Sequence, residues 1–65
     1  MTEFQVVLDT ARDGIISCGA FFAARGDAEY EYTLLREASP RYVFVSLDEV
    51  IDGVSATVKR ERGGR

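Results

Sequence analysis

Apolar positions along the first third of the chain repeat at helical spacing. Phe4, Val7, Leu8, Ala11, Ile15, Cys18 and Phe22 fall three or four residues apart and so share one face of a helix, while Glu3, Gln5, Asp9, Arg12 and Asp13 lie mostly elsewhere. Thr2 is suited to cap this helix and Glu3 to sit beside its positive end. Gly14 and Gly19 act against it, each costing about 1 kcal/mol relative to alanine in a helix interior, so the pattern also admits two shorter pieces. Arg25, Gly26 and Asp27 supply a stop, a cation in the last turn followed by glycine.

The period changes at Ala28. Tyr30, Tyr32 and Leu34 alternate with Glu29, Glu31 and Thr33, the pattern of a strand with one solvated face. Ala38, Ser39 and Pro40 then form a turn. Arg41 to Ser46 is rich in β-branched and aromatic residues and is apolar on both faces, which predicts a second, covered strand and an antiparallel hairpin. Ser46 and Glu49 have the spacing of a capping box, and Leu47, Val50, Ile51, Val54 and Val58 follow at helical spacing. The competing reading makes Asp52-Gly53 a two-residue hairpin turn and residues 54–60 a third strand, with Val54, Ala56 and Val58 alternating. Asp48 and Asp52 near one end of the segment and Lys59 and Arg60 near the other favour the helix. The expected architecture is therefore an α+β fold in the order α-β-β-α. It has a single domain over residues 1–60, with helices packed on a short antiparallel sheet, and a flexible basic tail over residues 61–65.

Length and composition narrow the chemistry. A 65-residue chain makes one domain, and a domain of that size buries only about 60% of the surface its unfolded chain exposes. Cys18 is the single cysteine and there is no histidine, so an internal disulfide is excluded and a structural zinc would lack its usual ligands. The solitary thiol suits a reducing compartment. The apolar run from Gly14 to Ala24 is too short for a membrane-spanning helix, and acidic residues precede it where a signal peptide carries positive charge. A cytoplasmic location is expected, in a bacterial host cell, with no membrane partner.

Charge is divided unevenly. Residues 1–58 carry ten carboxylates against four arginines, whereas residues 59–65 carry four cations against one anion. On the predicted strand Glu29 and Glu31 point the same way about 6.6–6.8 Å apart. On the predicted second helix Asp48 and Asp52 share a side, with Glu49 beside them. These five carboxylates are the candidate partner-binding surface, an array able to imitate a line of phosphates. The alternative is an ordinary solvated surface. Acid/base hydrolysis needs two carboxyl groups at a set separation with one pKa raised by burial, and these read as exposed. The alternating calcium-loop pattern is absent. No catalytic residue, metal site or cofactor is expected.

Cys18 has no histidine to activate it, and its place on the apolar face reads as a small buried hydrophobe. Tyr30, Tyr32, Tyr42 and Phe44 lack the basic flanks of a base-stacking sheet and read as core or as a partner-binding face. In the tail, Lys59, Arg60, Arg62 and Arg65 complement the end of a helix dipole. A single Arg-Gly-Gly resembles nucleic-acid-binding tails. It also resembles, over three residues, the end of a ubiquitin-like precursor, although the predicted order of elements differs from the ββαββ grasp of that family.

Taken together, small size, acidity, a solitary cysteine and the lack of catalytic groups resemble the inhibitors that phages and mobile elements deploy against bacterial defence, anti-CRISPR proteins in particular. The resemblance is one of class and covers no motif. It implies a non-catalytic inhibitor that binds a protein partner, a CRISPR effector subunit, and blocks its DNA- or PAM-binding surface by charge mimicry, without direct nucleic-acid binding. Two alternatives remain: a small DNA-binding or regulatory protein that uses the basic tail, and an accessory or antitoxin-like module that folds against another subunit.

Overall fold

The computed structural model describes residues 1–65 and has the element order ββαββ: β1 (Thr2–Thr10), β2 (Gly14–Phe22), α1 (Arg25–Ala38), β3 (Val43–Ile51) and β4 (Val54–Arg62). One four-stranded sheet, entirely antiparallel, has the order β2-β1-β3-β4. The expected α-β-β-α arrangement is thus replaced by a mostly-sheet fold with a single helix on one face.

The first predicted helix is a hairpin. In β1 the residues Phe4 and Val6 point to the helix side and are buried, with Leu8 partly so, while Val7 is buried on the opposite face. Period two therefore governs, and Val6 decides the matter: it is 2% exposed yet has no place on the helical face drawn from Phe4, Val7 and Leu8. The glycines that oppose a helix serve the hairpin instead. Gly14 takes φ +72° at the β1–β2 turn, where the Asp13 amide donates to Thr10 Oγ1 at 2.8 Å.

The predicted strand at residues 28–34 is the middle of α1. Its tyrosines alternate only by coincidence, since Tyr32 is buried and Tyr30 is 69% exposed. Ala28, Tyr32 and Leu35, at helical spacing, face the sheet. The segment is dominated by Ala, Glu, Leu and Arg, good helix formers, and ends where Ser39 turns extended ahead of Pro40.

In the C-terminal half the expected strand is present but runs on to Ile51, so Ser46 and Glu49 pair in a sheet and cap nothing. The hairpin alternative for Asp52-Gly53 is the one realised: both residues have positive φ, 50° and 82°, as a primed two-residue turn requires. The segment read as a basic tail is tied down. Glu61 and Arg62 belong to β4, and the amides of Gly63, Gly64 and Arg65 donate to the carbonyls of Val43, Arg36 and Ser39. Element order no longer separates the chain from a ββαββ grasp, but the Arg-Gly-Gly is packed against the body and does not project.

The core is a sandwich of α1 on the two central strands. Phe4, Val6, Val45 and Leu47 meet Ala28 and Tyr32, with Leu8, Phe22 and Leu35 at the margin. Four strands span roughly 19 Å across the sheet at about 4.8 Å each, whereas a helix is about 10 Å wide. One helix covers two strands well, so β2 and β4 are exposed along nearly their whole length.

Gly63 closes this structure at a place where no side chain fits. A Cβ there would overlap the Ser39 and Pro40 carbonyl oxygens, whereas one at Gly64 would only touch the Arg36 carbonyl at an ordinary 3.6 Å. Gly63→Ala is expected to lower unfolding stability by about 1–3 kcal/mol, and Gly64→Ala by less than about 0.5 kcal/mol, compared by urea titration. Equal effects would show that residues 63–65 do not pack as described.

Candidate protein-binding surface

The five carboxylates expected to form one acidic array are dispersed by the fold. Glu29 lies on the flank of α1 that faces β4, its Oε1 2.6 Å from Lys59 Nζ and its Oε2 3.6 Å from Arg25 Nε. Glu31 is two residues on, which in a helix means about 200° around the axis and not the same face. Asp48 points to the helix-free face of the sheet and accepts a hydrogen bond from Thr57 Oγ1 at 3.1 Å. Glu49 points to the other face, opposite Ala56. Asp52 sits in the β3–β4 turn, 3.1 Å from the amino group of Met1.

Long side chains of β4 clasp the flank of α1. The Tyr32 hydroxyl donates to Glu61 Oε1 at 2.6 Å, Arg36 Nε lies 3.9 Å from the same oxygen, and Lys59 Nζ stands 5.7 Å from the Tyr32 ring centre. Helix residues 29, 32 and 36 thereby match strand residues 59 and 61, because a helical turn and two strand residues advance by similar lengths. The Lys59 ammonium, by hydrogen bond and by charge, holds the Glu29 carboxyl below its ordinary value of 4.5. Burial first, then the Glu61 carboxylate, pushes the Tyr32 phenol well above its ordinary range.

What remains outward on α1 is a stripe of different character. Asp27, Tyr30, Leu34 and Glu37 recur at helical spacing on the exposed side of the helix, with Glu31 half-buried at its margin. Tyr30 is 69% exposed and Leu34 45% exposed. Asp27, Glu31 and Glu37 have no ion-pair or side-chain hydrogen-bond partner. Arg25 and Arg36, the cations of this helix, are turned to Glu29 and Glu61 on its flank. The stripe is therefore three uncompensated carboxylates, spread over about 15 Å of helix, around an aromatic and an aliphatic side chain. Of the five candidates only Glu31 belongs to it. Asp27, Leu34 and Glu37 escape a reading that makes 28–34 a strand, whereas Tyr30 is among the aromatics that reading gives to the core or to a partner-binding face; the helix-forming composition of residues 25–38 is the signal that locates the rest.

The helix-free face of the sheet is mixed. The guanidinium groups of Arg60 and Arg62 stand 4.2 Å and 4.6 Å from the centre of the Phe44 ring. Arg60 also pairs with Asp9. A shallow hollow of about 390 Å³ at the end of this face is lined by Arg12, Tyr42, Phe44 and Arg62 among others. Cys18, expected in the core, is exposed on β2. No group of three or more His, Cys, Asp or Glu side chains is placed to hold a metal ion, and no helix is long and apolar enough to cross a membrane.

The clasp has a pH signature. Because the folded Glu29 pKa is depressed, its stabilisation is complete above the ordinary value of 4.5 and is lost as pH falls through the lower folded value. Lys59→Met should destabilise the protein near neutral pH, and the deficit should shrink steadily once pH drops below 4.5; denaturant midpoints measured against pH would show it. A deficit of constant size down to strongly acid pH would mean the pair does not form.

Comparison with protein-family models, with curated proteins and with solved structures finds no match to this chain.

Proposed function

We propose that this protein acts without catalysis, by binding a protein partner through the outward stripe of α1. The observation that carries this reading is the pairing pattern on that helix: every cation is drawn to the flank, leaving Asp27, Glu31 and Glu37 unneutralised around exposed Tyr30 and Leu34. Tyrosine is among the residues enriched at the centres of protein interfaces, and a surrounding set of like charges selects a partner of opposite charge and speeds encounter. A groove built to hold nucleic acid offers that charge. The class resemblance to phage inhibitors of bacterial defence makes the DNA-binding surface of a CRISPR effector the first partner to test, with the helical carboxylates standing where phosphates would lie. The reading that uses the basic C-terminal residues to hold DNA has less support, since Lys59 and Arg60 are engaged by Glu29 and Asp9 and Arg62 donates to the Arg41 carbonyl.

The test is capture of CRISPR effectors from a bacterial lysate on the immobilised protein, followed by competition with target DNA. Tyr30→Ala is expected to weaken binding by roughly 30-fold, the effect of about 2 kcal/mol at an interface centre. The triple reversal D27K/E31K/E37K should abolish it while the circular dichroism spectrum stays unchanged. Asp48→Asn and Asp52→Asn should leave binding as it was. Binding that ignores the helical variants, or that is lost equally in the two controls, would remove the reading.

A further inference from the structure

The two edges of the sheet are protected very differently. β4 carries Lys59, Arg60, Glu61 and Arg62 along its second half, the kind of charged edge that resists pairing with another strand. β2, Gly-Ile-Ile-Ser-Cys-Gly-Ala-Phe-Phe, contains no charge and no proline over nine residues. Ile15, Ile16 and Phe21 are 67%, 52% and 54% exposed. A long apolar edge with free backbone N–H and C=O groups is a template for another strand.

The order of residues in β2 indicates which strand. Cys18 is the middle residue of Gly14–Phe22. If a second copy pairs antiparallel about that centre, Ile15 of each chain stands opposite Phe21 of the other, Ile16 opposite Ala20, and Cys18 opposite its own symmetry mate. Ile15, Cys18 and Phe21 partner Asp9, Val7 and Gln5 on β1, so all three lie on the helix-free face and meet their counterparts there. Each Ile15–Phe21 contact joins a β-branched and an aromatic side chain, a stabilising pair in antiparallel sheets, and symmetry makes two of them. The two irregularities of β2 against β1 fall one on each side of Cys18, so the two-fold exchanges them and asks for no further distortion. No charge is buried in this register.

We propose that β2 is a homodimerisation strand, joining two copies antiparallel about Cys18 into one continuous eight-stranded sheet. The two-fold axis runs normal to the sheet, so both helices lie on one face and their outward stripes stay free; the inference is independent of the proposed function. The interface is isologous, as in most homodimers.

Sedimentation equilibrium of the full chain over a wide concentration range tests this. The wild type is expected to approach twice its 7.2 kDa mass, and Ile15→Lys and Phe21→Lys should each weaken association at least tenfold. A second arm uses the unaltered protein, so it does not depend on the variants folding. Directly opposed residues in antiparallel strands have Cα atoms about 4.5–5.5 Å apart, inside the roughly 4.4–6.8 Å range of disulfides. Copper(II)-phenanthroline should therefore join Cys18 to Cys18 of the second copy, two thiols losing two protons and giving two electrons to copper(II). A control that carries Glu37→Cys on a Cys18→Ser background should not cross-link. A chain that stays monomeric throughout, a dimer that survives both lysine substitutions, or a Cys18 thiol that cross-links no better than the thiol of the Glu37→Cys control would overturn the proposal.

Discussion

The packing of Ala28, Tyr32 and Leu35 onto Phe4, Val6, Val45 and Leu47 is the contact on which the rest of the molecule depends. It is small. Fully burying a valine, leucine or phenylalanine side chain is worth about 1.5–3 kcal/mol, and the ordering entropy of the chain offsets most of the sum. With no disulfide to help, nearly all the tertiary stability of this domain comes from one helix laid on two strands. The small side chain of Ala28, fully buried, brings the helix backbone close to the sheet. Tyr32 fills the gap beyond it and carries its hydroxyl out to Glu61. The charged clasp between β4 and α1 adds orientation more than energy, since its charged members stay partly solvated and such pairs contribute about 0–1 kcal/mol each.

That single contact also decides what is left uncovered. A helix is too narrow for four strands, so both edge strands and one sheet face remain open, and half of the helix faces water. Evolution can place function on any of these surfaces without touching the core. Their chemistry differs: the helix is acidic and aromatic, β4 is charged and paired to α1 and β1, and β2 is apolar with an open outer edge. Each surface therefore selects a different kind of neighbour, and the outward helix carries carboxylates that have no internal partner.

Some of this was legible in the sequence and some was not, for physical reasons. The strand around Val43–Ser46 announced itself, because a run of β-branched and aromatic residues buried on both faces fits little else. Asp52-Gly53 carried a hairpin signal that local helix rules outweighed, although a dipeptide able to take two positive φ values is stronger evidence than an S-x-x-E spacing that recurs by chance. In residues 2–22 Phe4 and Leu8 satisfy either period; the burial of Val6, together with Gly14 at a positive φ in the turn, separates them. At residues 28–34 tyrosines stood at alternate positions for unrelated reasons, Tyr32 for the core and Tyr30 for the surface. The acidic character of the protein was plain from composition. Which carboxylates remain free was not, because neutralisation of Glu29 by Lys59 joins residues thirty apart in the chain and exists only after folding.

The arrangement of α1 on β1 and β3 determines which side chains are free to act, and nuclear Overhauser contacts measure it directly. Cross-strand contacts between Val6 and Leu47, together with contacts from the Tyr32 ring to Phe4 and none from Tyr30 to the sheet, are the predicted result. Continuous sequential amide–amide contacts through residues 3–22, the mark of a helix there, would contradict the account.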